Sequence, residues 1–172
     1  PSDHRLNMGI LGMHGNLGPN VMTNQCDLLI AIGMRFDDRV TGNLATYAKQ
    51  AKIIHFDIDP AEFNKNVQVD LKVLGNCKET LAAVTKQIEA TQHSAWIDGF
   101  KPYAEKEYDK VIDKALHPAE GPLLMGEVIR RVSEAAHNKG IMVTDVGQNQ
   151  LMACRYFKFT QNRSVVTSGG LG

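Results

Sequence analysis

Four short stretches hold residue types that suit ligand chemistry. The first, Gly12-Met13-His14-Gly15, sets a Met and a His between two glycines. It reads either as a turn with His14 at the surface or as a loop whose backbone comes close to a flat ring or a diphosphate, an approach that glycine permits. The second, Gly33-Met34-Arg35-Phe36-Asp37-Asp38-Arg39-Val40, follows directly on an apolar run. The carboxyl end of a parallel strand is where open α/β sheets bind ligands. Arg35, two residues past Gly33, is placed to grip a phosphate with a two-pronged hydrogen bond, whereas Asp37 and Asp38 equally suit surface salt bridges.

The third stretch is His55-Phe56-Asp57-Ile58-Asp59. An acidic residue at a strand end holds ribose hydroxyls in dinucleotide folds; the alternative for Asp57 is a solvated strand end or a helix cap. The glycine fingerprint GxGxxG of a nicotinamide site does not occur in the chain. The fourth is Asp145-Val146-Gly147-Gln148-Asn149-Gln150. Backbone amides at a helix start suit a diphosphate, and an ordinary βα turn has the same composition. No Ser/His/Asp triad is legible, and the histidines lack metal-ligand spacing.

The elements that would position these stretches alternate. Asp27 to Gly33, Ala51 to Ile58 and Val67 to Leu74 are short apolar or β-branched runs and predict three strands of one parallel sheet. Helices are expected over 19–25, over Asn43 to Gln50, at a start marked by Asp59-Pro60, and over Asn76 to Ala90, where Leu81, Val84 and Ile88 fall on one face. Residues 91–120 are richer in charge and predict a linker with one polar helix at 97–113. The pattern then restarts. A helix is expected over Pro122 to His137, with Leu123, Leu124, Val128, Ile129 and Val132 inward and Gly140 as its stop. A strand at Ile141 to Val146, a helix at Gln148 to Tyr156 and a strand start at Ser164 to Thr167 complete it. Alternation of this kind implies the α/β class, a parallel sheet with flanking helices, plus an incomplete start of a second α/β domain. That second piece, of about 50 residues, is a poor candidate for independent folding.

Composition narrows the function classes. The 172 residues carry 19 Lys+Arg and 19 Asp+Glu, with 43% apolar residues. This balance argues against a disordered chain and against a nucleic-acid binder driven by phosphate neutralisation. No apolar run approaches the roughly 20 residues that cross a bilayer, so no membrane partner is expected. Cys26, Cys77 and Cys154 are odd in number and lack CxxC spacing, which fits a reducing, cytoplasmic compartment. The start at Pro1 and the Gly-rich close suggest an internal piece of a longer protein.

Taken together, LGMHG (11–15), IGMRFDDRVTG (32–42), HFDIDPAEFNKN (55–66), TDVGQNQ (144–150) and TSGGLG (167–172) resemble the acetolactate (acetohydroxyacid) synthase large-subunit family of thiamine-diphosphate enzymes. The resemblance covers nearly the whole chain and is weakest in 91–120. It implies that 1–90 is most of a central FAD-binding domain, 91–120 a connector, and 121–172 the opening of the domain that holds the thiamine diphosphate. It carries FAD contacts onto Leu11, Gly12, Met13, His14, Gly15, Gly33, Arg35, Asp37, Arg39, Val40, Asp57, Ile58 and Asn76, where the family often has Asp at the last position. Thiamine-diphosphate contacts fall on Val146, Gly147, Gln148, Asn149 and Gly172, with Asn149 in place of the usual His of VGQHQ. Asp38 and Arg39 match positions lining the family's herbicide channel.

The resemblance implies no catalytic and no metal-ligating residue within these 172 residues. The family's activating Glu lies in an earlier domain, and the GDG…N motif that binds Mg2+ does not occur here. The implied parent joins 2-oxo acids, acts as a homo-oligomer and pairs with a regulatory small subunit; the chain alone is expected to be inactive. Two rivals remain: a pyruvate oxidase or glyoxylate carboligase of the same layout, and a non-catalytic nucleotide-binding module.

Overall fold

The computed structural model describes residues 2–168. The chain forms two compact units. One comprises Leu11–Met13 and Pro19–Gly99; the other takes the residues up to Ile10, His14–Gly18 and the chain from Phe100 on.

The first unit is a three-stranded parallel sheet. Helix α1 (Leu17–Thr23) leads to β1 (Leu28–Ile32), the short α2 (Asp38–Thr41), β2 (Lys52–Asp57), a 3-10 turn at Pro60–Glu62, β3 (Leu71–Leu74), α3 (Cys77–Thr85) and α4 (Ser94–Asp98). The order is β1-β2-β3, with Leu28 opposite Lys52 and Ile54 opposite Leu71. This is the expected parallel sheet, and α3 packs against β2. Side chains alternate across a strand, so Leu29, Ala31, Ile53 and His55 share one face. Phe36, Tyr47 and Ala48 close over it to form the core. The other face leaves Leu28, Ile30, Ile32 and Leu71 half exposed. The ring of His55, fully buried, stands edge-on to Phe36 and Phe63, each at 5.1 Å.

Three expectations in this unit need correction. Residues 43–50 form turns instead of a helix. The Asn43 side chain takes the Ala45 N–H at 2.9 Å, a local bond that competes with helix. Ala48 then adopts φ 44° and gives its N–H to Asn24. The third strand begins at Leu71, not Val67, because Val69 donates its N–H to the Asn64 side chain while Val67 and Val69 pack on the core. Helix α3 stops at Thr85; Ile88 beyond it is exposed, so no burial sustains further turns.

The second unit is mostly helical. Helix α5 (Lys101–Glu107) runs through a π-helical turn at Tyr108–Ile112 into α6 (Asp113–Leu116); then come α7 (Met125–Ala135), β4 (Met142–Thr144), α8 (Gln148–Tyr156) and β5 (Val165–Thr167). Strands β4 and β5 pair in parallel, Met142 opposite Val165, so α8 is the crossover of a βαβ step.

Helix α7 departs from expectation at both ends and in facing. It starts at Met125, and it ends where His137 and Asn138 turn left-handed (φ 53° and 56°), well before Gly140. The Asn138 N–H returns to the Ser133 carbonyl at 2.7 Å. Its buried side carries Gly126, Glu127 and Ser133, whereas Leu123, Leu124, Val128 and Val132 are exposed. Gly126 favours this packing: a Cβ there would meet the Tyr156 ring at 3.1 Å, a tight contact that would make the ring shift.

Candidate functional site

A cleft of about 270 Å³ opens in the sheet-containing unit. Its walls are Leu11–Met13 on one side and Asp38–Gly42 on the other, with Asn20, Asn24 and Tyr47 beneath. The two walls are stitched by the Met13 N–H donating to the Arg39 carbonyl at 2.7 Å. Gly12 makes the approach feasible. Its φ is +103°, and a Cβ would lie 2.9 Å from the Arg39 carbonyl oxygen, closer than real side chains come.

The cleft thus brings together Leu11, Gly12, Met13, Arg39 and Val40, with Asp38 beside them. Other expected contacts lie outside its lining. Gly33 extends β1, its N–H donating to Phe56 at 2.8 Å. Arg35, with its side chain 71% exposed, pairs with Asp37 at 3.3 Å. Asp37 also caps α2 by accepting the Arg39 N–H at 3.1 Å. Asp57 is buried at the end of β2; one carboxylate oxygen takes the Asp59 N–H at 2.9 Å and the other lies 3.5 Å from His55 Nε2. Ile58, next to it, is exposed. Asn76 caps α3 through the Lys78 N–H at 2.9 Å.

Three cleft residues escape the sequence reading. The Asn20 side chain brackets the Gly12 peptide: its oxygen takes the Gly12 N–H at 3.0 Å and its NH2 donates to the Gly12 carbonyl at 2.8 Å. Asn24, one helical turn on, takes the Ala48 N–H at 2.8 Å. Two asparagines at i and i+4 in a helical stretch are the available signal, since Asn is a poor helix interior residue unless its amide is put to use. Tyr47 is the third. Its hydroxyl is buried and has no hydrogen-bond partner among the described residues. Burial, reinforced by Cys26, pushes its pKa up to about 12, so it remains a donor at neutral pH.

The other unit holds the second set. His14 is exposed and Gly15 half-buried, in the loop before α1. Val146 is partly exposed ahead of α8, and Gly147 (φ 151°) occupies the N-cap of that helix with no side-chain cap. The first-turn N–H groups of Gln148 and Asn149 therefore keep their donor capacity. The Asn149 amide donates to the Asp145 carboxylate. Gly172 lies outside the described residues. Among the described residues there is no cluster of His, Cys, Asp and Glu fit for a metal, and no helix long and apolar enough to cross a membrane.

The parallel sheet with its flanking helices defines the class as an α/β domain, and comparison with known proteins narrows it. Residues 1–84 match the family model of the thiamine pyrophosphate enzyme central domain. Along its length the chain is homologous to acetolactate synthase large subunits. It is 40% identical to the probable acetolactate synthase large subunit of Methanocaldococcus jannaschii over 100% of the chain and 30% of that protein. It is 40% identical to the acetolactate synthase large subunit of Parasynechococcus marenigrum over 97% of the chain and 27% of the relative. It is 37% identical to acetolactate synthase isozyme 2 large subunit of Escherichia coli over 99% and 30%. The chain thus spans about three-tenths of the length of these relatives.

Proposed function

We propose that the chain is the flavin-side and diphosphate-side portion of an acetolactate synthase large subunit. The parent decarboxylates pyruvate and joins the remaining two carbons to a second 2-oxo acid, in the synthesis of valine, leucine and isoleucine. The observation that carries this is homology to those subunits over the full chain, coincident with a cleft at the expected loop.

FAD fits the cleft in part. At about 270 Å³ the cleft is just under the roughly 300–1,000 Å³ usual for small-molecule sites, so it would take one ring system and not a whole dinucleotide. Leu11–Met13 and Arg39–Val40 would border that ring, and the orphaned Tyr47 hydroxyl offers it a donor. Arg35 would exchange Asp37 for the FAD diphosphate, and Asp57 would hold ribose. FAD has no redox part in the net reaction, so these residues are binding and not catalytic residues.

Val146, Gly147, Gln148 and Asn149 would hold the diphosphate of thiamine diphosphate, at a helix start whose N-cap, Gly147, has no side chain to occupy its amides. Bound thiamine diphosphate supplies the carbon acid that decarboxylation and carbon–carbon bond formation need. Mg2+ would be held mainly by residues outside this chain. The relatives are named large subunits, which supports a regulatory small subunit as partner of a homo-oligomer. The free thiols of Cys26, Cys77 and Cys154 suit the cytoplasm.

The test is product analysis of the whole gene product with pyruvate, FAD, thiamine diphosphate and Mg2+. Acetolactate is expected; acetyl phosphate, or no pyruvate consumption, overturns the reading. The 172-residue chain under the same conditions should form none.

A further inference from the structure

Glu107, near the end of α5, is buried, and it is not a member of any cofactor set named above. Its carboxylate is fully engaged. One oxygen accepts the Leu17 N–H at 3.1 Å and the Asn16 side-chain NH2 at 3.3 Å. The other meets the Arg155 guanidinium, which projects from α8 and donates also to the Gly15 carbonyl at 3.4 Å. Only 8% of the Glu107 side chain and 19% of the Arg155 side chain remain exposed. Asn16 in turn closes the loop on itself, its N–H donating to the Ile10 carbonyl at 2.7 Å and its side-chain oxygen taking the Ile10 N–H at 2.9 Å.

Two features separate this pair from mere glue. Burying two charges is expensive, and an apolar pair of like volume often stabilises as well or better, so an ion pair in such a place is better explained by geometry than by stability. And the pair grips backbone: the Leu17 N–H and the Gly15 C=O bracket the peptide path just after His14. Leu17 opens α1, where a first-turn N–H lacks an intrahelical acceptor; its acceptor comes from ninety residues away.

We propose that Glu107 and Arg155 are positioning residues that set the path of the His14–Gly18 loop and tie it to α8, the helix whose first turn faces the thiamine-diphosphate phosphates. The link to cofactors rests on the function proposed above; the link between pair and loop does not. Arg155 lies two turns along α8 from Gln148. Loosening either end of the pair frees the loop and the helix from each other, and flavin retention falls with the loop.

Hydrogen exchange on the chain tests the first part. In Arg155→Met, and in the isosteric Glu107→Gln should the former fail to fold, amides over 10–18 should exchange about tenfold or more faster, the size of one lost charge-assisted hydrogen bond. Peptides of β1–β3 should not change. Arg155→Lys, which keeps a charge opposite Glu107, should recover most of the protection. His117→Ala, which removes the exposed Asp113–His117 contact at the end of α6, should leave 10–18 as in the wild type. In the whole gene product, Arg155→Met should weaken FAD binding about tenfold with a smaller change for His117→Ala. Unchanged exchange over 10–18, or a uniform rise across all peptides, overturns the positioning role. A wild-type gene product that retains no FAD overturns the flavin reading instead and leaves the exchange result to decide the pair.

Discussion

The two units bury different things. In the sheet unit, Ala31, Phe36, Tyr47, Ala48 and Ile53 make an apolar cluster, with His55 and Asp57 as buried polar groups beside it. In the helical unit, the buried residues include Glu107, Glu127 and Ser133, while apolar Val128, Val132 and Val143 stand in solvent. The first is held by water exclusion, which is non-directional and roughly proportional to area. The second adds to its buried Ala153, Tyr156 and Phe157 a few directional contacts among polar groups. Ser133 is one such centre, its hydroxyl donating to Asn138 at 2.9 Å and accepting the Lys158 N–H at 3.1 Å. A unit of the first kind tolerates substitutions that keep volume. A unit of the second kind fails when one partner is removed.

The largest effect should come from removing one partner of the buried pair. Glu107→Ala leaves the Arg155 guanidinium without its counter-charge and strips Leu17 of its acceptor. Loss of one partner of a buried ion pair costs about 3–5 kcal/mol. Denaturant unfolding should place the variant's midpoint far below the wild type. A shift of under about 1 kcal/mol, the range of exposed pairs, would mean that water replaces the pair and that the two units do not differ as argued.

Next in size is Ile53→Ala. The side chain is 5% exposed, opposite Leu29 in the β1–β2 register. Truncating a buried Ile costs about 2–5 kcal/mol, with the higher end for sites that cannot collapse. The conservative Ile53→Val should cost only about 0.5–1.5 kcal/mol. That graded response, read from urea midpoints, marks a volume-controlled core. An equal loss for both would break the contrast with Glu107, where charge and hydrogen bonds decide the loss and volume does not.

The contrast also explains what is legible in the sequence. The β1–β3 sheet shows there because each strand is a run of apolar and β-branched residues ending at Gly33, Asp57 or Gly75. The glycines of 12–15 point to the cleft because backbone strain and close approach restrict residue choice locally. Asn20 and Asn24 show only as two asparagines four apart, and their partners, Gly12 and Ala48, stay hidden because they are set by tertiary contact and not by period. The inward side of α7 differs from expectation for a related reason. Its apolar stripe is clear in the sequence, but Gly126 lets Tyr156 pack on the other side, and a glycine carries no hydrophobic signal. Glu107 and Arg155 lie 48 residues apart, and no local pattern joins them.

Arg35→Ala comes third and is read on binding, not stability. Arg35 is 71% exposed and its present partner Asp37 is 33% exposed, so the pair adds little to folding. If Arg35 meets the FAD diphosphate, its loss removes a charge-assisted contact of about 1.5–3 kcal/mol, or roughly 10- to 150-fold in affinity. Its exposure argues for the lower end. Flavin titration of the whole gene product checks this. Full FAD retention with unchanged unfolding would leave Arg35 as half of a surface pair, and would shift the site toward Arg39 at the cleft.

The smallest effect concerns the rim of the sheet unit. Asp70 accepts the Ile53 N–H at 2.8 Å and the Lys52 ammonium at 3.0 Å, just before β3 begins. The Ile53 N–H chiefly, and Lys52 after it, hold the Asp70 carboxyl below its ordinary value. A depressed carboxylate pKa means that the unfolded chain binds the proton more readily. The stabilisation is therefore complete above the unfolded pKa, near about 3.9, and is lost as pH falls through the lower folded value. Asp70→Asn keeps an oxygen for the Ile53 N–H but gives up the charge on Lys52. Wild type and variant should differ most at neutral pH and converge as pH drops below about 4. Urea midpoints of the two proteins along a pH series measure this. A gap that stays constant down the series would show that the lost carboxylate acts through shape and not through its charge. Added salt at neutral pH should narrow the gap as well, because Lys52 is 78% exposed and exposed charges are screened within about 10 Å at 0.1 M.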